Sequence, residues 1–408
     1  MDETASVTLC PECGLPQTLP DPVLGRIAVC SRCNAVLRRY TRDTVQQTLA
    51  LTLAGLILFV IANTYPFLSL SLEGQARETL LFTGILGLFE QGMYALAILV
   101  FLTSIAIPLV QLLGLIYLLV PIWVGRGGAR HSAWVFRMLG HLRPWSMTEV
   151  FMLAILVAMI KLAHMADIIA GPAIWAFVVL IFVMVAAFAG LNPEDIWTRV
   201  PGQYAKSCGK ELGPLTVCHS CEMTSRLTLG KAQGICPRCG GRIHLRKPGS
   251  IQRTWALVIA AIVFYVPANV LPVTITGMLG AKQADTIMSG VIYFMLSGSW
   301  HISLVIFVAS ILIPLVKLGV LIYLLVSVQF RSKWKNIDRT RLYRFTEAVG
   351  RWSMVDVYVV TVLVALVKIG SLAEIEAGPG APYFAAVVVT TMFAAQSFDS
   401  RMIWDYED

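Results

Sequence analysis

Eight of the nine cysteines fall into Cys-x-x-Cys pairs: Cys10 with Cys13, Cys30 with Cys33, Cys218 with Cys221 and Cys236 with Cys239. Each pair can turn as a knuckle that offers two sulfurs to one ion. Two knuckles complete a tetrahedron with no open position, which makes the expected chemistry structural metal binding rather than catalysis. The 16 residues between the first two pairs fit a four-thiolate zinc spacing, and the 14 between the second two fall just short of it. Pro11, Gly14, Pro237, Gly240 and Gly241 supply the turn-forming residues that such knuckles need. The rival readings are a dithiol redox centre and disulfides. A redox centre needs no second pair in register, and a reducing compartment disfavours disulfides. Zinc is therefore expected, one ion per set, with iron as the alternative in the same cage. Cys208 has no counterpart in the first half and reads as a free thiol, and His219 reads as a loop residue between ligands.

A second group of polar residues lies inside apolar sequence. Lys161 is followed three residues on by His164, and Lys368 by Ser371. Charge at membrane depth costs about 2.5–3.5 kcal/mol on insertion scales, so each lysine, expected near mid-bilayer, marks a functional candidate. Ser104, Pro108 and Gln111 recur as Ser310, Pro314 and Lys317. Proline frees the carbonyl four residues earlier and is expected to kink the helix, leaving a polar stripe that must face protein or water. Two such stripes per unit would line a cavity for an amphipathic cargo with a charged head group. The plainer readings are lysines that snorkel or pair with Asp167 or Glu374 at the helix end, and polar glue between helices. His164, Asp167 and Glu374 would form the relay of a proton-coupled exporter.

The elements that carry these residues follow from composition. Of 408 residues 57% are hydrophobic and only 14% charged, too few charges for an ordinary soluble fold. Stretches such as Met93–Val124 reach the roughly 20 apolar residues that cross a bilayer. Met1–Leu9 lacks the features of a cleavable signal, so the first membrane helix is expected to do the targeting.

The second half repeats the first at an offset of about 206–208 residues. Ile105–Val120 matches Ile311–Val326, Trp145-Ser-Met matches Trp352-Ser-Met, and Ala170-Gly-Pro matches Ala377-Gly-Pro. Helices are expected near Val45–Asn63, Met93–Val124, Thr148–Ile169 and Ala173–Leu191, and near Trp255–Asn269, His301–Val328, Val355–Ala373 and Tyr383–Phe398. That is an α-helical polytopic membrane protein of about eight spans in parallel repeats. The expected boundaries are 1–42 and 201–250 for the cysteine modules and 43–200 and 251–408 for the membrane modules. Phe67–Leu72 alternates like a strand and, with the helical spacing of Thr79–Gln91, suggests an extracytoplasmic cap, as do Pro272–Gly277 and Ala284–Gly298. Basic residues crowd one set of loops and acidic residues the other, which predicts cytoplasmic termini and ribbons and accounts for the net charge of +8 without nucleic acid. No P-loop, Gly-x-Ser-x-Gly or His-Glu-x-x-His motif is present, so neither an ATPase nor a hydrolase is expected.

Duplicated Cys-x-x-Cys pairs, Ile-Pro-Leu-Val in the second helix, and Trp-Ser-Met-x-Glu/Asp-Val followed by a lysine resemble the paraquat-inducible protein A family over nearly the whole chain. The resemblance implies a Gram-negative inner-membrane subunit that works with a periplasm-spanning MCE (mammalian cell entry) domain protein to move phospholipid, with no nucleotide-binding subunit and no enzymatic activity. It also implies a rubredoxin-like zinc ribbon on each half, held by the eight paired cysteines, with Lys161 and Lys368 at the family's intramembrane lysine position. Gln111 against Lys317 and His164 against Ser371 imply that the halves are not equivalent. A membrane redox or stress protein remains the reading from another class.

Overall fold

The computed structural model describes residues 7–19, 27–39, 44–72, 75–125, 127–162, 167–191, 196–197, 199, 213–278, 281–298, 300–366, 368–369 and 373–405. Among them seven helical runs are long and apolar enough to cross a membrane. The chain is a multi-pass membrane protein of two tandem halves, each beginning with a four-cysteine cluster. The first half contains α1 (Thr44–Thr64), α2 (Leu81–Glu90), α3 (Tyr94–Trp123), α4 (Ser132–Leu142), α5 (Thr148–Leu162) and α6 (Pro172–Gly190). The second repeats the order as α7 (Ser250–Val270), α8 (Ile287–Leu296), α9 (300–329), α10 (Asn336–Val349), α11 (Val355–Leu366) and α12 (Gly380–Ser397). Helix α12 packs along α7 as α6 packs along α1, and so stands as the eighth bundle helix.

Helix α11 is apolar all round because protein surrounds it: every residue but Asp356 and Ala365 is buried. It lies against α5 along the seam between the halves. There Phe151 meets Tyr358 edge to face at 5.3 Å, and the Tyr358 hydroxyl donates to Thr103 Oγ1 at 2.7 Å.

Proline interrupts the regular hydrogen-bonding of the second helices. Each second helix absorbs it in a π turn, Leu102–Ala106 in α3 and Val308–Leu312 in α9, so that the Ile107 and Ile313 N–H groups reach the Leu102 and Val308 carbonyls. The lysine helices are shorter than expected. Helix α5 is described to Leu162 and α11 to Leu366, which puts Lys161 in the last described turn of its helix and Lys368 in a strand. Neither occupies mid-helix. Asp167–Ala170 and Ala373–Ala377, where the helices were expected to end, are strands of the caps.

The expected caps are present and contain more strands than expected. Strands β5 (Leu68–Leu72) and β6 (Gln75–Thr79) form a hairpin joined by β7 (Asp167–Ala170) in the order β6-β5-β7. In the second half β12 (Thr274–Met278), β13 (Ala281–Asp285), β14 (Lys368–Ile369) and β15 (Ala373–Ala377) pair in the order β13-β12-β15-β14. Asp167 stands opposite Ser71, and Glu374 opposite Gly277 and Lys368. Both carboxylates expected at helix ends therefore belong to cap sheets. His164, Ser371 and Cys208 lie outside the described residues. The Gly-Pro turns are required by close approach: a β-carbon on Gly171 or Gly378 would fall 2.2 Å from the Pro66 or Pro272 carbonyl oxygen.

The halves differ where α2 and α8 meet the bundle. Helix α2 lies flat on α11, where a β-carbon on Gly84 would sit 3.1 Å from the Thr361 carbonyl oxygen and 3.2 Å from Ala365 Cβ. The Gln91 amide ties its end to β15 by donating to the Ile375 carbonyl and accepting from the Ala377 N–H at 2.9 Å. At the matching Gly290 nothing lies within 4 Å, and Gly87 and Gln91 are replaced by Tyr293 and Ser297. Gly84→Leu is expected to cost about 1–3 kcal/mol by overpacking, and Gly290→Leu close to nothing, measured as the difference in thermal midpoint in detergent.

Candidate functional site

Four short hairpins build the cysteine clusters. Strands β1 (Val7–Leu9) and β2 (Pro16–Thr18) flank the first knuckle, and β3 (Ile27–Val29) and β4 (Val36–Arg39) the second. Strands β8 (Leu215–Val217) with β9 (Thr224–Arg226), and β10 (Gln233–Ile235) with β11 (Arg242–His244), do the same in the second ribbon. In every knuckle the residue after the second cysteine donates its N–H to the carbonyl of the first, at 2.9–3.0 Å. That geometry needs left-handed backbone, and the four positions are Gly14 (φ 74°), Asn34 (φ 55°), Glu222 (φ 58°) and Gly240 (φ 67°). Glycine accepts this conformation freely, asparagine nearly so, and glutamate with strain.

The sulfurs of Cys10, Cys13, Cys30 and Cys33 lie within 4.8 Å of one another, as do those of Cys218, Cys221, Cys236 and Cys239, and all eight are buried free thiols. Their closest separations of 3.5–3.6 Å approach the roughly 3.8 Å edge of a tetrahedron with about 2.3 Å metal–sulfur bonds. The donor sets fit closed structural metal sites. His219 belongs to neither set. Burial first, and then the Arg401 charge, push its ring pKa down to about 4, so it stays neutral beside Arg401.

Each ribbon docks on the half that it does not precede. The first packs its cysteines against Tyr343, Phe398, Ile403 and Trp404 of the second half. Arg344 donates to the Cys33 carbonyl at 3.1 Å and to Cys33 Sγ at 3.3 Å, and Arg32 lies over the Trp404 ring at 4.4 Å. The second ribbon packs against Leu115, Phe136, Leu139 and Trp197 of the first half. The two ribbons touch where the Leu9 N–H reaches Thr224 Oγ1 at 3.3 Å. The platforms are α4 and α10, which lie in the loops read from sequence only as basic. Val135, Phe136 and Leu139, three and four residues apart, were the available signal for α4.

The turn Ser400–Trp404 joins both ribbons. Asp399 accepts from Arg401 Nε and Nη2 and from the Lys247 N–H, all at 2.9 Å, while Arg401 reaches His219. Burial alone would raise the Asp399 carboxyl, but the Arg401 bonds and charge outweigh it and hold the pKa at about 2.

Between the two ribbons and the bundle lies a cavity of about 700 Å³. Arg38 from the first ribbon, Glu222 from the second, Arg143, Glu149 and Arg351 line its outer part. Ile181, Met184, Val185 and Phe188 of α6 form an apolar strip along it, and Gln111 of α3 closes its depth. Gln111 is 0% exposed, and neither amide atom has a hydrogen-bond partner among the described residues. Partial burial raises the Glu222 carboxyl, against the pull of the Arg143 and Arg38 guanidiniums. Ser104 does not present its hydroxyl as a free donor, since Oγ bonds the Val100 carbonyl at 2.6 Å. In the second half the Ser310 hydroxyl and the Lys317 amine are buried without described partners, and Lys317 Nζ occupies the space where Gly350 lacks a side chain.

The model of the paraquat-inducible protein A family matches residues 45–201 and 251–407, at the offset of the internal repeat. The chain belongs to that family. It is 32% identical over 396 residues to the lipophilic envelope-spanning tunnel protein A of Escherichia coli K12, covering 97% of this chain and 90% of that one. It is 32% identical over 400 residues to the intermembrane transport protein PqiA of the same strain, covering 97% and 95%. A probable intermembrane transport protein of Haemophilus influenzae is 30% identical over 383 residues, covering 93% and 91%. No solved structure matches. The family match covers both membrane halves and leaves out both ribbons, so the crossed docking is visible only in the structure.

Cys30→Ser should remove one of the two metal equivalents measured by elemental analysis. The accompanying loss of hydrogen-exchange protection should appear over Tyr343 and 398–404 of the second half, with Phe136 and Trp197 still protected. Asp399 has a folded pKa of about 2, below the ordinary value near 3.9. Its contribution of roughly 2 kcal/mol is therefore present above pH ~4 and fades as pH falls toward 2. Asp399→Asn should flatten the acid limb of a stability profile over that window.

Proposed function

We propose that this protein is an inner-membrane subunit of an intermembrane lipid-transport system, passing phospholipid to or from a periplasm-spanning MCE-domain protein. The observation that carries this reading is the cavity beneath the ribbons, apolar along α6 and charged at its outer part, in a chain whose relatives are named as intermembrane transport and envelope-spanning tunnel proteins. An apolar wall with a few convergent polar groups suits an amphipathic ligand. The two four-thiolate sets are best filled by zinc as fixed scaffolding, with iron as the other ion of the same cage. Basic loops on the ribbon side support cytoplasmic ribbons and termini and a Gram-negative inner-membrane location. The caps then face the periplasm, where the partner would dock, and Lys161 and Lys368 mark the periplasmic end of the lipid path rather than its middle. No ATPase subunit and no enzymatic step are part of this reading.

Reconstituted vesicles carrying this chain should transfer labelled phospholipid to a purified MCE-domain protein at least several-fold faster than protein-free vesicles. Transfer at the protein-free rate, with the two proteins shown to bind, would reject the proposal.

A further inference from the structure

We propose that the ribbon-side cavity is a binding site for a phosphate-ester head group, that of a phospholipid taken from the adjacent leaflet, and that both ribbons are needed to complete it. This rests on the lipid-transport reading above and adds a site to it.

Three guanidiniums converge from three separate elements: Arg38 on β4 of the first ribbon, Arg143 in the turn after α4, and Arg351 just before α11. Two carboxylates, Glu149 and Glu222, stand among them, leaving one positive charge in excess among the described lining residues. Guanidinium is the cation best shaped for phosphate oxygens, and a head group that also carries an ammonium finds carboxylates within the same rim. Single-sign surface charge would not give that pairing.

Gln111 points to the depth at which the ligand's ester groups would lie. A buried amide with neither atom bonded is destabilising until a ligand satisfies it. A glycerol ester carbonyl would accept from its amide nitrogen. The apolar strip on α6 recurs at positions 181, 184, 185 and 188, the spacing of one helix face, and offers a wall along which an acyl chain would lie. Glu222 adds a third observation. It holds left-handed backbone at φ 58°, where two of the three other knuckles use glycine and one asparagine. Backbone strain kept at a cavity wall is the pattern of a functional side chain.

The second half has given this site up. By the repeat, Lys317 replaces Gln111 and Gly350 replaces Arg143, so the cation moves from the rim onto the membrane helix and fills the space that the missing rim side chain leaves.

The test uses the full chain with its metals. Benzoylphenylalanine replaces Val185 on the cavity wall or, as a control, Met288 on the lipid-facing α8, in cells grown with radiolabelled phosphate. A labelled lipid adduct is expected at both positions. Arg143→Gln with Arg351→Gln should reduce the Val185 adduct at least fivefold and leave the Met288 adduct unchanged, and Arg38→Gln alone should reduce it in the same direction. An undiminished Val185 adduct in these variants would overturn the site, because annular lipid alone would explain it. With purified protein, inorganic phosphate at 50 mM should leave the adduct intact; its loss would assign the site to free phosphate and overturn the lipid assignment. Vesicle transfer separates the two proposals. Wild-type transfer rates in the arginine variants overturn the site alone, whereas no transfer by the unmodified chain overturns the lipid reading.

Discussion

Four thiolates around a divalent ion would carry two net negative charges, and the four cysteine sulfurs of each ribbon are buried. Such a centre is stable only where outside groups cover and compensate it. For the first ribbon the compensation comes from Arg344 of the second half, which bonds both the carbonyl and the sulfur of Cys33. The second ribbon finds its cover on α4 of the first half, where Gly241 allows Arg137 to approach beside Cys239. The platforms α4 and α10, the C-terminal turn with its buried Asp399–Arg401 pair, and the cavity enclosed below the ribbons all follow from that exchange. Remove the cover and the metal sites lose their second coordination sphere at the same moment as the cavity loses its roof.

Within this crossed frame the two halves keep one fold and divide the tasks. The first half packs α2 tightly through Gly84 and ties it with Gln91, while the second leaves α8 apart at Gly290. On the other side of the membrane the first half keeps a neutral Gln111 beneath an arginine rim, and the second buries Lys317 against Gly350. Both contrasts come from substitutions at matched positions rather than from differences in topology. Parallel repeats with identical chemistry would give two equal routes; these give one closed and one open seam.

Much of the architecture was legible in the sequence because the relevant signals are local. The knuckles follow from cysteine spacing, the spans from apolar length, and the duplication from direct repetition of motifs. The caps were partly legible, since Phe67–Leu72 alternates, but β7 and β15 were hidden inside sequence that also suits a helix end. That ambiguity displaced Lys161 and Lys368 from their expected mid-helix depth. Proline signalled a break in the second helix without specifying that a π turn would absorb it. The rim arginines were visible only as topology signals, because nothing local says that Arg38, Arg143 and Arg351 meet. Which half each ribbon covers is a long-range fact, decided by the complementarity of surfaces far apart in sequence, as between Cys33 and Arg344, 311 residues apart.

The crossing also bears on descent. Exchange of an identical element between two copies is the geometry of a domain-swapped homodimer. A single ancestral unit, with one ribbon and one bundle, would have had to lay its ribbon on a second copy to cover its thiolates. Joining the two copies end to end, through the segment before Gly213, turns an association between molecules into a contact within one chain. From then on the two platforms no longer had to accept the same ribbon, and each copy was free to change on its own.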